Sequence, residues 1–222
     1  FNKLLHAKSI NNLKARNIFQ EVESKIIDTP DANLKNVDIT VEEKATGEIL
    51  VGAGVGSEGG TAQFSVSENN FLGKGVKLST GLRISETRVR GNFTVTNPNF
   101  NYSDKSLSTD IFLTDIDKLT DSGYKSTNAG FSFGTAFEQY DDFFFRPTFK
   151  TVYEELTTNS SASTNLKKQE GTYFTSTIGY SFDLDKRNQR FQTSDGFQSK
   201  FIQNIPLISE SDTLLNGYQF DT

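Results

Sequence analysis

From residue 47 onward, apolar and polar residues alternate with a period of two and hardly depart from it. That period sends successive side chains to opposite faces of an extended chain, so it predicts strands with one apolar and one polar face. Ile49, Val51, Ala53 and Val55 share one face of the first segment, and Gly52, Gly54 and Gly56 share the other. Ala62, Phe64 and Val66 then oppose Gln63, Ser65 and Ser67. Val76, Leu78, Leu82 and Ile84 oppose Lys77, Ser79, Arg83 and Ser85, and Val89, Phe93 and Val95 oppose Arg88, Arg90, Asn92 and Thr94. Leu107, Ile111 and Leu113 continue the series, although Phe112 and Ile116 fall on the other parity. Phe131, Phe133 and Phe137, then Phe143, Phe145, Phe149 and Tyr153, then Phe174, Ile178, Tyr180, Phe182 and Leu184, and finally Phe197, Phe201 and Ile205 make nine strands. Gly217 to Asp221 begins a tenth.

Residues 1–44 follow another rule. Phe1, Leu4, Ala7, Ile10 and Leu13 recur every third position among Lys3, Lys8 and Lys14, which predicts a helix with an apolar stripe, a basic opposite face and Asn2 as its cap. Residues 18–26 read as a strand, 28–33 as a Pro-containing turn, and Val37, Ile39 and Val41 as the apolar side of a second strand.

Soluble sandwiches alternate too, so the period by itself leaves both architectures open. Two features favour a membrane barrel. The segments run about 9 to 13 residues, long enough for a tilted strand to cross a bilayer. Lys77, Arg83, Arg88, Arg90, Arg146 and Lys150 stand mid-strand on the polar side, which suits a water-filled or plugged lumen. On this reading Phe64, Leu78, Phe93, Phe131, Phe133, Phe143, Phe145, Phe149, Phe174 and Tyr180 face lipid. The connections 57–60, 85–87, 115–125, 155–170 and 207–213 gather at one end, and 69–75, 97–105, 138–141 and 185–195 at the other. The first end holds the longest connection and is expected outside the cell.

Composition narrows the chemistry. The 222 residues carry Lys+Arg 23 against Asp+Glu 28, a net charge of -5 that argues against a nucleic-acid partner. There is no cysteine for a disulfide, thiolate site or catalytic thiol, and one histidine cannot build a multi-histidine zinc site. His6, in the basic helix, is expected at a surface or interface. No apolar run is long enough for a membrane-spanning helix. With no signal-like segment before Phe1 and a strand running to the last residue, the chain reads as an internal fragment.

Several motifs invite chemistry and lose to plainer readings. Gly54 to Gly59 satisfies G-x-G-x-x-G, but the residues after it alternate as a strand, whereas a dinucleotide site needs a helix there. Asp115, Asp117, Asp121 and Gly123 miss the spacing of a calcium loop and read as a solvated connection. Asp141-Asp142 and Glu154-Glu155 are adjacent in extended chain and point apart. The glycines of 47–56 weaken a strand, so this segment reads as a poorly held sheet edge; the alternative is that they make room for a plug or for curvature.

The strand Val37 to Lys44, the glycine-alternating strand Gly52 to Gly56, Glu68-Asn69-Asn70-Phe71-Leu72-Gly73-Lys74-Gly75 and the turn Val95 to Phe100 together resemble the BamA family of outer-membrane protein assembly factors. Asp185-Lys186-Arg187-Asn188, with Thr193 to Gly196, is similar to that family's long periplasmic turn, although Gln192 stands where relatives place proline. The resemblance implies an all-β transmembrane antiparallel β-barrel, here its N-terminal half over 46–222, preceded by the C-terminal part of the last POTRA domain over 1–45. It further implies a lateral seam strand comprising Gly47, Glu48, Ile49, Leu50, Val51, Gly52, Ala53 and Gly54, and a POTRA strand edge at Val37, Ile39 and Val41. The expected function is folding and insertion of β-barrel proteins into the outer membrane of a Gram-negative bacterium, without enzymatic chemistry or cofactor. Expected partners are nascent barrel proteins, accessory lipoprotein subunits and outer-membrane lipid, with the POTRA part in the periplasm. A related secretion pore, a passive porin and an outer-membrane hydrolase are the rivals.

Overall fold

A computed structural model describes residues 1–31, 34–56, 59–188, 194–209 and 215–221. Helix α1 (Lys3–Ala15) precedes β1 (Phe19–Asp28) and β2 (Lys35–Glu43), which pair antiparallel as a two-stranded sheet. Ten further strands form a second sheet: β3 (Gly47–Gly56), β4 (Gly59–Phe71), β5 (Val76–Ser85), β6 (Arg88–Asn97), β7 (Ser106–Lys118), β8 (Tyr124–Tyr140), β9 (Phe143–Thr158), β10 (Gly171–Asp185), β11 (Gln198–Ile208) and β12 (Leu215–Asp221). Each pairs antiparallel with its predecessor, so the sheet is a meander whose order is the order of the sequence. The nine expected strands and the short tenth are all present. No helix among the described residues is long and apolar enough to cross a membrane, which says nothing of strands.

On β10 the polar-face residues Gly179, Ser181 and Asp183 are buried, while Ile178 and Phe182 on the other face are 42% and 36% exposed. Among the described residues the strands of this sheet contact chiefly their ladder neighbours.

Asn2 caps α1 as expected, its Oδ1 accepting from the amides of Leu4 and Leu5. The helix face is different from the expected stripe. Leu4 is 82% exposed and Ala7 lies open, whereas His6, Ile10 and Leu13 are half-buried beside β1. A spacing of three lags the ~3.6-residue turn by about 60° at each step, so five such residues fan around the helix. His6, Ile10 and Leu13 follow i, i+4, i+7 and stay on one side. The His6 ring Nε2 lies 2.8 Å from Ser24 Oγ, and Ile18 and Val22 of the neighbouring segment are buried.

Several connections are shorter than expected. Residues 115–118 and 124–125 continue the β7–β8 ladder, with Asp115 opposite Thr127 and Asp117 opposite Lys125, leaving 119–123 as the turn. β9 runs on through Thr158, and the connection after it carries a short helix α2 (Thr164–Lys167) capped by Ser163. Beyond the apolar band both faces are polar and alternation loses its contrast, while backbone pairing continues. The β8–β9 turn is 141–142, two residues in place of the expected 138–141, with Asp142 at φ +63°. Phe197 precedes β11 rather than opening it.

Candidate functional site

The glycine-rich segment lies at the margin of the large sheet. Among the described residues β3 pairs with β4 alone, in a ladder from Gly47 opposite Glu68 to Gly56 opposite Gly59. That ladder continues directly into strand β4 rather than a helix, so no dinucleotide fold surrounds the glycine motif; its Ser57 and Glu58 lie outside the described residues. Alternate backbone N–H and C=O groups of β3 therefore point away from the sheet, and no strand among the described residues receives them. Ile49, Val51 and Val55 stand on the apolar face and are 68%, 76% and 91% exposed; Glu48 and Leu50 fall on the polar face.

Crowding accounts for only part of the glycine content. A Cβ at Gly47 would lie 2.9 Å from Glu68 Oε2, and one at Gly52 would lie 3.0 Å from Gln63 Cγ. Both neighbours are flexible side-chain atoms. At Gly54 and Gly56 a Cβ would meet nothing within 4 Å. Within the described residues, nothing at Gly54 or Gly56 forbids a side chain, and each glycine there costs the strand about 0.5–1 kcal/mol relative to alanine.

The ten residues expected to face lipid share one face of the sheet. The register sets Phe64 between Val51 and Leu82, Leu78 opposite Val95, Phe93 opposite Ile111, Phe131 opposite Ile111, Phe133 opposite Phe149, and Phe174 opposite Tyr153. Phe143 and Phe145 stack on Phe182 with ring centroids 5.7 Å and 5.0 Å apart, and Tyr180 lies 5.6 Å from Phe182. Phe182 is the hub of this cluster; its parity with Tyr180 was the available signal. Tyr180 also donates its hydroxyl to Gln203 Oε1 on the same face.

The polar face is a hydrogen-bonded wall. Asp183 accepts from Arg146 Nη1 at 2.8 Å and from Gln198 Nε2 at 2.8 Å. The Arg146 guanidinium also lies 5.3 Å from the centre of the Phe144 ring, which places Phe144 on the polar side. Asp110 accepts from Thr94 Oγ1 at 2.7 Å and Ser132 Oγ at 3.3 Å. Lys150 sits 5.2 Å above Phe112, so the off-parity phenylalanine is a platform for a cation. Glu154 accepts from Asn128 at 2.7 Å and Glu155 from the Tyr153 hydroxyl at 3.0 Å, on opposite faces. Lys125 reaches Asp115 at 3.6 Å and Asp117 at 3.9 Å, so two carboxylates of the acidic hairpin face an ammonium. No group of three or more metal-ligating side chains is present among the described residues.

Val37, Ile39 and Val41 lie on β2, which pairs only with β1 among the described residues and is exposed throughout. This edge and the β3 edge belong to separate sheets and do not pair with each other. The small sheet and its helix adjoin the turns at one end of the large one. Arg16 Nη2 donates to Asn99 Oδ1 of the β6–β7 connection, and Lys8 lies 3.5 Å from Glu138 at the end of β8. At the start of the connection after β10, Arg187 pairs with Asp185 through Nε at 2.7 Å and Nη2 at 2.8 Å; Gln192 and Thr193 lie outside the described residues.

Residues 70–216 match the Omp85 superfamily domain. The fold is similar to the crystal structure of BamA from Haemophilus ducreyi lacking POTRA domains 1-3, with a TM-score of 0.63 and 18% sequence identity. That likeness covers 90% of this chain but 42% of the other, so the chain spans less than half the length of the solved relative.

Proposed function

The chain belongs to the Omp85 superfamily, and from that premise we propose that it supplies the first strands of an outer-membrane β-barrel that folds and inserts other β-barrel proteins. A nascent strand in a bilayer cannot leave its amides and carbonyls unpaired, because each costs several kcal/mol in hydrocarbon. An edge strand of the insertase offers temporary partners. The observation that carries this reading is the make-up of β3, which among the described residues pairs with β4 alone and has glycine at Gly54 and Gly56, where a Cβ would meet nothing within 4 Å. An incoming strand adds to that edge by β-augmentation while the barrel opens beside it. The chemistry consists of backbone hydrogen bonds made and broken, with no cofactor and no covalent step.

The same reading assigns residues 1–45 to a periplasmic POTRA module, with the β2 edge at Val37, Ile39 and Val41 receiving unfolded client before it reaches β3. Its exposed basic helix face is the proposed contact for an accessory lipoprotein, and the aromatic face of β8–β11 the contact with outer-membrane lipid. In the full-length protein, a cysteine at Val51 should crosslink to the terminal strand of a stalled client. Undiminished client assembly with β3 disulfide-locked to the strand that closes the barrel would overturn the proposal. Sugar permeation through the protein in liposomes, with client assembly indifferent to its loss, would make it a porin instead.

A further inference from the structure

The polar face of β3–β6 holds a charge arrangement that strand addition at the β3 edge does not use. Cross-strand register strings Gly52, Gln63, Arg83 and Arg90 into one row. Arg83 and Arg90 are directly opposite, and like charges so placed destabilise an antiparallel pair. Neither enters any ion pair among the described residues. The row continues through Thr114 and Asn128 before it meets a carboxylate at Glu154, three strands beyond Arg90 and roughly 14 Å away at ordinary strand spacing. Glu154 is already engaged by Asn128. Elsewhere on this face Arg146 holds Asp183 and Lys150 lies over Phe112.

Beside the arginines the sheet is hollow. A depression of about 270 Å³ is lined by Gly52, Gly54, Gly56, Thr61, Gln63 and Arg83. A second, of about 120 Å³, lies among Arg83, Ser85, Arg88 and Arg90. They share Arg83 and together cross four strands. Bare glycine backbone forms one end and guanidinium groups the other, in a chain whose net charge is negative.

We propose that this depression is a docking surface for an acidic polypeptide segment lying extended over the polar face, with its carboxylates on Arg83 and Arg90. Guanidinium groups pair with carboxylates in a two-point fork, and doing so relieves the repulsion of the opposed arginines. The shape selects a chain over a small anion. The glycines at 52, 54 and 56 extend about 13 Å along β3, more than a phosphate fills, and Thr61 and Gln63 present side-chain donors and acceptors to peptide groups. The surface is a face rather than an edge, so it stands whether or not β3 accepts client strands.

The test uses the full-length protein in nanodiscs and a fluorescein-labelled 12-residue peptide of alternating Glu and Ser, read by fluorescence anisotropy. The acidic peptide should bind, its Gln counterpart should not, and binding should weaken as salt rises. Arg83→Gln with Arg90→Gln should weaken it about tenfold or more, while Lys200→Gln, on the same face at β11, should leave it within about twofold. An unchanged affinity in the double variant, equal binding of the Gln peptide, or complete displacement by 10 mM inorganic phosphate would overturn the proposal; the last would mark a small-anion site. In the unsubstituted arginine background, a photocrosslinker at Gln63 should capture the acidic peptide. Failure there counts against the surface independently of how the double variant folds, and a crosslink at Gln63 without one at Val51 would separate this site from the seam.

Discussion

β3 and β10 obey the same period of two, yet they stand at opposite extremes of how a strand can be held. β3 has ten residues, four glycines, no aromatic ring and, among the described residues, one partner strand. β10 has fifteen residues and two partner strands, buries Ser181 and Asp183 on its polar face, and stacks Tyr180 and Phe182 into an aromatic cluster on the other. Alternation therefore says which way side chains point and nothing about how firmly a strand is kept. Firmness comes from what stands across the ladder. Among the described residues, one sheet thus contains a strand held on both sides and a glycine-rich margin held on one.

The contrast breaks first at the wall. Asp183→Ala leaves Arg146 and Gln198 without their acceptor. Stranding one partner of a buried pair costs about 3–5 kcal/mol, and because Arg146 keeps about a third of its side-chain surface open, a loss of about 2 kcal/mol in the urea unfolding of the full-length protein is expected. A loss near zero would make the wall no firmer than the margin.

Glycines sharpen the comparison. Gly123, in the β7–β8 turn, holds φ +76°, and a Cβ there would collide with the Ala162 amide nitrogen. Gly123→Ala should cost about 1–2 kcal/mol. Gly54→Ala should do the reverse and stabilise by about 0.5–1 kcal/mol, visible as slower hydrogen exchange of the β3 amides. If both substitutions destabilised equally, the idea that β3 is weak by composition rather than by steric need would fail.

Much of the fold was legible from residue order because side-chain direction in a strand is a local property. All ten strands and the whole apolar face, from Phe64 to Tyr180, followed from it. The readings that missed did so for physical reasons. The helix stripe rested on a spacing of three, which drifts around a helix, and so overlooked His6 as the residue that meets Ser24. The hairpin at 115–125 looked like loop because, above the apolar band, Asp117 and Lys125 face each other across a ladder that carries no hydrophobic signal.

The sequence alone settled the period, the faces and the composition of each strand, since these depend on neighbours along the chain. It could not say that Arg146 meets Asp183, 37 residues away, or that Arg83 opposes Arg90. Those facts belong to the register between strands. A slip of one residue would keep every local pattern intact and exchange all of these partners, so only the folded sheet decides them.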